Sequence, residues 1–202
     1  HMILAELEIE GKTREVIMQA PKNGFFYVID RATGELLAAD KYSLATWASH
    51  VDMKTGRPAE NPDARKGTAD VTVFPGPSGG HNWHPMTYSP NTGMVYIPAM
   101  ETSAVYSDDF TSEQRKTIWN LNYDPAAMVA LPDQLTTEER AAIGPMALKG
   151  VLIAWDPIAK QEKWRRDQGY YSSSGLLSTA SDLIFQGNLA GQFNALSAAT
   201  GE

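Results

Sequence analysis

A short turn that ends in Thr-Gly recurs along this chain of 202 residues and constrains its fold more than any other feature. In Asp30-Arg31-Ala32-Thr33-Gly34, the carboxylate can accept backbone N–H groups and the glycine can adopt positive φ. Five segments carry this turn or a degenerate version of it: 30–34, 52–56, 89–93, 156–160 and 197–201. Hairpins with a type I turn closed by a left-handed residue have this pattern. Five copies predict an all-β repeat architecture.

A longer repeat surrounds two of these turns. Ala154-Trp155-Asp156, with Lys160 and Trp164 after it, is similar to Ala195-Leu196-Ser197 with Thr200-Gly201 after it. The equivalent positions 159 and 200 lie 41 residues apart, and a four-stranded propeller blade is about 40 to 45 residues long. We therefore expect a partial β-propeller of about three to four blades over 3–202; coincidence within a β-sandwich is the alternative.

The segment from 100 to 149 has a different composition and is interpreted as an excursion between strands. Thr136 and Glu139 form a capping box, and the Ala-rich residues that follow can extend a short helix until Gly144-Pro145 ends it. A long insertion in a compact domain usually has a function or lies between subunits. We expect it to cover one face of the propeller.

Composition excludes several classes of function. The net charge of -7 is spread along the chain without a basic run, which argues against nucleic acid and anionic membranes as partners. The absence of cysteine excludes disulfides, thiolate metal sites and a cysteine nucleophile. No run of 18 apolar residues and no signal-peptide pattern occur. His1-Met2 is interpreted as a cloning scar, and the abrupt strand pattern from Ile3 predicts a fragment of a larger protein.

The stretch from Ser78 to Ala99 is the strongest candidate for a binding site. It opens with paired glycines and then presents His81, Asn82, Trp83 and His84 before a proline. An indole can stack on a planar ligand while amide and imidazole groups hydrogen-bond to its edge. This arrangement suits a planar ligand that carries carbonyl groups. The alternative is a tight turn whose Trp83 packs against a neighbouring sheet.

Two other kinds of site deserve consideration. An esterase-like hydrolase would use Ser78 with His81 or His50 and an aspartate such as Asp52, but the chain has no G-x-S-x-G motif. A metal pair at His81 and His84 is disfavoured, because Pro85 argues against a helix that would place both on one face and no carboxylate follows nearby. We predict no metal ligands.

Several stretches together resemble the alcohol dehydrogenases that depend on pyrroloquinoline quinone, a family of quinoproteins built on an eight-bladed propeller. They are Ala20-Pro21-Lys22-Asn23-Gly24 with 25–31, the segment 52–58, Gly79-Gly80-His81-Asn82-Trp83, 177–180 with 185–187, and Ala154-x-Asp156 with Trp164. The last of these resembles the tryptophan-docking repeat that joins blades in that family. The resemblance covers the whole chain and is least distinctive in the excursion.

The resemblance implies specific roles and a location. Lys22 matches the cation beside the reactive carbonyls of the quinone, and Asn82 with Trp83 matches a pair that contacts the same cofactor. A cation there stabilises the negative charge that develops as the quinone accepts hydride from an alcohol. The family also uses calcium and is periplasmic. Lys22 as an ordinary surface lysine is the alternative.

Departures from the family pattern limit what the chain is expected to do alone. The catalytic aspartate, the calcium ligands and most quinone-stacking residues of the family lie upstream of the segment matched here. We therefore predict no catalytic residue in this chain and no activity by itself. Its expected partner is either a second copy, bound through open propeller edges, or the missing N-terminal part of the propeller. His84, where glutamine is common, and 170–174 also depart from the pattern.

Overall fold

The computed structural model describes residues 1–65, 71–106, 149–168 and 174–202. Within them the chain forms fifteen strands and one 3₁₀ turn at Pro62–Ala64. The strands are β1 (Ile3–Ile9), β2 (Lys12–Gln19), β3 (Phe25–Asp30), β4 (Leu36–Lys41), β5 (Ala48–Val51), β6 (Pro58–Glu60), β7 (Val71–Val73), β8 (Thr87–Ser89), β9 (Met94–Glu101), β10 (Ala104–Tyr106), β11 (Lys149–Asp156), β12 (Gln161–Asp167), β13 (Leu176–Ser178), β14 (Leu183–Gly187) and β15 (Phe193–Ser197).

Three larger antiparallel sheets organise these strands. The first sheet has the order β1-β2-β3-β4, the second β12-β11-β9-β8 and the third β13-β14-β15. Two-stranded sheets are formed by β5 with β6 and by β7 with β10. The all-β class and the four-stranded antiparallel sheets predicted from sequence are confirmed, while the number of blades stays a prediction. The short helix predicted around 136–143, like the rest of 107–148, lies outside the described residues.

The larger sheets stack face to face because side chains alternate between the two faces of each strand. Val16 and Phe26 of the first sheet pack in one cluster with Ile97 and Ile153 of the second. The opposite face of the second sheet carries Tyr96, Leu152 and Ala154, which pack with buried residues of the third sheet. The second sheet is thus buried on both faces, and its central strand β11 is apolar throughout Val151–Trp155.

The outer face of the first sheet is also covered. Phe25 and Ala39 pack against Ala45 and Ala48 of the segment that follows β4. The ring of Trp47 meets that of Phe25 edge-on, with centroids 5.8 Å apart. This segment therefore takes the place that a neighbouring sheet occupies elsewhere in the stack.

The five repeated turns have the same geometry. In each, the backbone N–H of the fifth residue donates to the carbonyl of the first, over 2.8 to 2.9 Å. The fifth residue has positive φ in every copy, including Lys160 at 58°. Where the first residue is aspartate, its Oδ1 accepts two backbone N–H groups inside the turn. The predicted turn closed by a left-handed residue is confirmed.

Candidate cofactor site

The turn between β2 and β3 positions Lys22. The Tyr42 hydroxyl donates to the carbonyl of Pro21 over 2.7 Å, and the backbone N–H of Tyr42 donates to Gly24 O over 3.0 Å. These bonds fix the turn, whose lysine side chain remains exposed. Lys22 Nζ donates to the carbonyl of Pro77 over 3.0 Å. The cation is therefore placed against the loop that carries the other predicted site residues.

The loop before β8 brings Asn82 to the same place. Asn82 Nδ2 donates to the carbonyl of Ser78 over 3.1 Å, so Lys22 and Asn82 contact the carbonyls of consecutive residues. Gly80 N donates to Lys22 O over 3.0 Å and ties the two segments through the main chain. A Cβ at Gly79 would lie 2.6 Å from Lys22 Cα. Only glycine permits this approach without displacement of backbone.

Trp83 stands at the surface beside these donors. Its side chain is 74% exposed, and its ring centroid lies 5.6 Å from that of His84, with the planes tilted by 39°. Among the residues that the structure describes, Trp83 is not packed against a neighbouring sheet, because most of the indole faces solvent. Burial lowers the pKa of the His84 imidazole, which favours its neutral form near pH 7.

His81 lies beneath this loop and is 1% exposed. Its Nδ1 lies 2.6 Å from Ala20 O and its Nε2 2.7 Å from His84 O. Burial lowers the pKa of His81, while the two carbonyls act in the opposite direction. Both ring nitrogens are engaged by main-chain oxygens, so His81 is not placed to bind a metal or to act as a base.

The other residues considered for a hydrolase are also occupied. Asp52 Oδ1 accepts the backbone N–H groups of Lys54 and Thr55, which lower the pKa of the carboxyl. His50 Nδ1 lies 3.0 Å from Ser49 Oγ. Because Asp52 is hydrogen-bonded within its own turn and both ring nitrogens of His81 face main-chain carbonyls, the structure does not assemble a Ser-His-Asp triad from the sequence candidates.

Within residues 1–65, 71–106, 149–168 and 174–202, no three or more His, Asp or Glu side chains form a group that could hold a metal ion. No helix among these residues is long and apolar enough to cross a membrane.

The donor set fits the oxygen-bearing edge of a planar molecule. Lys22 offers an ammonium group, Asn82 an amide and Trp83 an exposed aromatic face, and all three belong to two segments joined by hydrogen bonds. Pyrroloquinoline quinone carries carbonyl and carboxylate oxygens on a flat ring system, which such donors can bind. Sequence reasoning missed Tyr42, because its contact with Pro21 spans 21 residues and leaves no short-range pattern.

Curated relatives and solved structures give a consistent result, although no protein-family profile matches the chain. Quinohemoprotein alcohol dehydrogenase ADH IIB of Pseudomonas putida is 44% identical over 199 residues, which are 98% of this chain and 27% of that protein. The quinohemoprotein alcohol dehydrogenase of Comamonas testosteroni is 39% identical over 203 residues, or 28% of its length.

The solved structures agree in fold. Quinohemoprotein alcohol dehydrogenase ADHIIG of P. putida superposes with a TM-score of 0.81 at 43% identity, covering 100% of this chain and 30% of that one. The enzyme of C. testosteroni gives 0.80 at 36% identity over 29% of its chain. The chain thus spans a little over a quarter of the length of its curated relatives. The resemblance inferred from sequence is confirmed: along its whole length the chain is homologous to a segment of the quinohemoprotein alcohol dehydrogenases.

Proposed function

We propose that these 202 residues form part of the propeller of a quinoprotein alcohol dehydrogenase. Lys22, Asn82 and Trp83 are proposed to form one wall of its quinone site. The observation that carries this proposal is the convergence of Lys22 and Asn82 on the consecutive carbonyls of Pro77 and Ser78. The sequence predicts both as cofactor contacts, although they lie 60 positions apart in the chain. The homology with quinohemoprotein alcohol dehydrogenases supports the same assignment.

Each wall residue has a distinct task. When bound, pyrroloquinoline quinone supplies the acceptor for hydride from an alcohol. The Lys22 ammonium stabilises negative charge on an oxygen at the ligand's edge, and its present partner, a neutral carbonyl, is a weaker one than an anionic oxygen. Asn82 can donate an amide hydrogen to the same edge, while the exposed Trp83 indole offers an apolar face.

The chain by itself is proposed to lack alcohol dehydrogenase activity. It spans 27% to 28% of the curated relatives cited above, and the catalytic aspartate and calcium ligands are assigned to the remainder. A dye-linked assay with ethanol, added quinone and Ca²⁺ tests this assignment, and measurable turnover would contradict it. By family resemblance, the parent protein is proposed to act in the periplasm.

Quinone binding by the wall can be tested without turnover. The ¹⁵N-labelled chain is titrated with pyrroloquinoline quinone up to millimolar concentration, and NMR signals of Lys22, Asn82 and Trp83 are followed. We expect these signals to shift together, with affinity weakened several-fold in Lys22→Gln because one charge-assisted hydrogen bond is lost. The matched control is Lys54→Gln, an exposed lysine in another turn. Shifts that avoid all three residues, or equal losses in both variants, would contradict the proposal.

A second candidate function is self-association, and the third sheet favours it. Leu177 and Phe193 on its outer face are 61% and 76% exposed. The rings of Phe185 and Phe193 stack there with centroids 5.5 Å apart. The opposite face of the third sheet packs on the second sheet. When the chain is alone, the proposed occupant of the remaining apolar face is the same face of a second copy; in the whole propeller it is a neighbouring blade.

Light scattering tests this second candidate. The chain is expected to dimerise at micromolar concentration, and Phe193→Ser is expected to weaken the dimer by removing a large apolar contact. Ile158→Ser is the control, because Ile158 is 50% exposed in a turn of a different sheet. A strict monomer, or a dimer that is equally sensitive to both changes, would contradict self-association through this face.

A further inference from the structure

The position of His81 connects the two segments of the candidate wall. One ring nitrogen faces the carbonyl of Ala20, two residues before Lys22, over 2.6 Å. The other faces the carbonyl of His84, directly after Trp83, over 2.7 Å. Asn82 and Trp83 lie within the short loop that the second contact closes. The buried ring therefore bridges the end of β2 to the loop that carries both predicted quinone contacts.

The chemistry of the two partners constrains the ring. A backbone carbonyl oxygen only accepts hydrogen bonds, so each ring nitrogen must carry a hydrogen for both contacts to be bonds. A neutral imidazole carries one N–H, which leaves a nitrogen lone pair facing a carbonyl oxygen at the other contact. The imidazolium form carries two, and hydrogen bonds from a charged donor are the stronger kind.

We propose that His81 is a positioning residue that holds the Lys22 turn against the Asn82–Trp83 loop, and that this tie is complete only when both ring nitrogens are protonated. The inference rests on the proposed function of Lys22, Asn82 and Trp83. It does not make His81 a catalytic residue, because a ring that is 1% exposed and enclosed by main-chain oxygens does not reach a ligand at the surface.

The groups around His81 determine the pH at which both ring nitrogens carry hydrogen. Burial lowers the pKa of His81 from its usual value of 6.5, and the amino terminus at His1 and the imidazole of His84 lower it further, whereas the two carbonyls raise it. On the neighbouring elements, the Lys22 ammonium is directed to Pro77 O, and Tyr42 is a neutral phenol because burial raises its pKa well above 10. The second proton is thus gained on the acid side of 6.5.

A fall in pH is expected to strengthen the contacts of His81 while it lowers the stability of the whole chain. Because the pKa of His81 is lower in the folded chain than in the unfolded one, this group favours folding above the unfolded pKa and loses that contribution as the pH falls. The same acidification supplies the missing N–H to the tie. If the NMR signals of Lys22 and Trp83 shift at a higher pH than the one at which the chain unfolds, the shift reports positioning and not simple destabilisation.

The test is an NMR titration of the full chain with ¹⁵N-labelled histidine. Long-range spectra report whether each His81 ring nitrogen carries hydrogen, while the Lys22 amide and Trp83 indole signals report the wall. We expect His81 to gain its second hydrogen below pH 6.5 and the Lys22 and Trp83 signals to shift with the same midpoint. Protonation without those shifts, or one nitrogen still without hydrogen when unfolding begins, would overturn the proposal.

Variants separate this proposal from failure of the proposed function. His81→Gln should lose the coupled shift at Lys22 and Trp83, whereas His50→Gln, a change of an exposed histidine, should keep it. The wild-type titration decides the question even if His81→Gln does not fold. A coupled shift without quinone binding would support the tie and contradict the quinone site, and quinone binding without the coupled shift would do the reverse.

Discussion

Trp164 donates its indole N–H to the carbonyl of Ala198 over 3.0 Å and thereby joins strand β12 of the second sheet to the last turn of the third. The hydroxyl of Tyr96 donates to the same carbonyl over 2.9 Å. The tryptophan ring also packs closely over Gly201 in that turn. This inter-sheet contact matches the docking role that the repeat of Ala154, Asp156 and Trp164 suggested from sequence.

Replacement of Trp164 by phenylalanine tests how much the indole N–H contributes. Ala198 O keeps the hydroxyl of Tyr96, so the carbonyl is not left unsatisfied. We expect Trp164→Phe to lower the free energy of unfolding by about 1 kcal/mol, the usual net value of one hydrogen bond. Urea unfolding measures it. Trp83→Phe is the matched control and should leave stability unchanged, because Trp83 is largely exposed; equal losses would contradict a docking role.

Alanine substitutions at Gly201 and Gly34 distinguish the cost of backbone strain from the cost of a steric clash. Their φ angles are 77° and 78°, but a Cβ at Gly201 would lie 2.8 Å from Trp164 Cζ3, whereas one at Gly34 would meet no atom within 4 Å. Gly34→Ala should lower the free energy of unfolding by about 1 kcal/mol, and Gly201→Ala by about 1 to 3 kcal/mol more. Thermal and urea unfolding provide the comparison, and equal losses would show that Trp164 does not pack on this turn in solution.

Lys160 takes the place of glycine in the fourth turn, with φ of 58°. Left-handed backbone is unfavourable by about 1 to 2 kcal/mol for a residue with a Cβ, while glycine loses more chain entropy on folding. We expect Lys160→Gly to raise the free energy of unfolding by up to about 1 kcal/mol. Chemical unfolding measures the gain, with Lys163→Gly on strand β12 as the control that should destabilise.

Local features were predictable from sequence, and contacts between distant segments were not. The turn at Asp30 and Gly34 follows from residues four positions apart, since its hydrogen bonds lie within the turn. The contact of Lys22 with Pro77 spans 55 residues and that of His81 with Ala20 spans 61. These depend on how the first sheet and the loop before β8 pack together. Sequence analysis considered the His81 imidazole as a contact for a planar ligand and as a triad candidate, and disfavoured it as a metal ligand; it did not anticipate the buried contact with Ala20.

Asp30 should make the stability of the chain sensitive to acid. Hydrogen bonding by the Arg14 guanidinium is the main cause that lowers the pKa of Asp30 to about 2, and the backbone N–H groups of the turn add to it. Because this pKa lies below its unfolded value of 3.8, the stabilisation is complete above that value. It is lost as the pH falls toward about 2.

Asp30→Asn removes this acid sensitivity. We expect the variant to be less stable than the wild type at neutral pH and to lose less of its remaining stability between about pH 4 and pH 2. Urea unfolding at several pH values measures both effects. Asp52→Asn is the control: Asp52 accepts the two equivalent amides of its own turn, and its change should be smaller. A pH dependence equal in all three proteins would contradict the assignment.

Gly79 should control the position of Lys22. Its φ is 82°, and an added Cβ would lie 2.6 Å from Lys22 Cα and Cβ, where backbone must move to relieve the contact. We expect Gly79→Ala to shift the NMR signals of Lys22 and to weaken quinone binding by the proposed wall, because the cation is displaced from Pro77 O.

Gly93→Ala is the matched control, because Gly93 has φ of 70° with no atom within 4 Å of a Cβ. Since both changes introduce the same left-handed strain of about 1 to 2 kcal/mol, only the close approach distinguishes them. Unchanged Lys22 signals in Gly79→Ala would show that the loop and the turn are not in contact in solution.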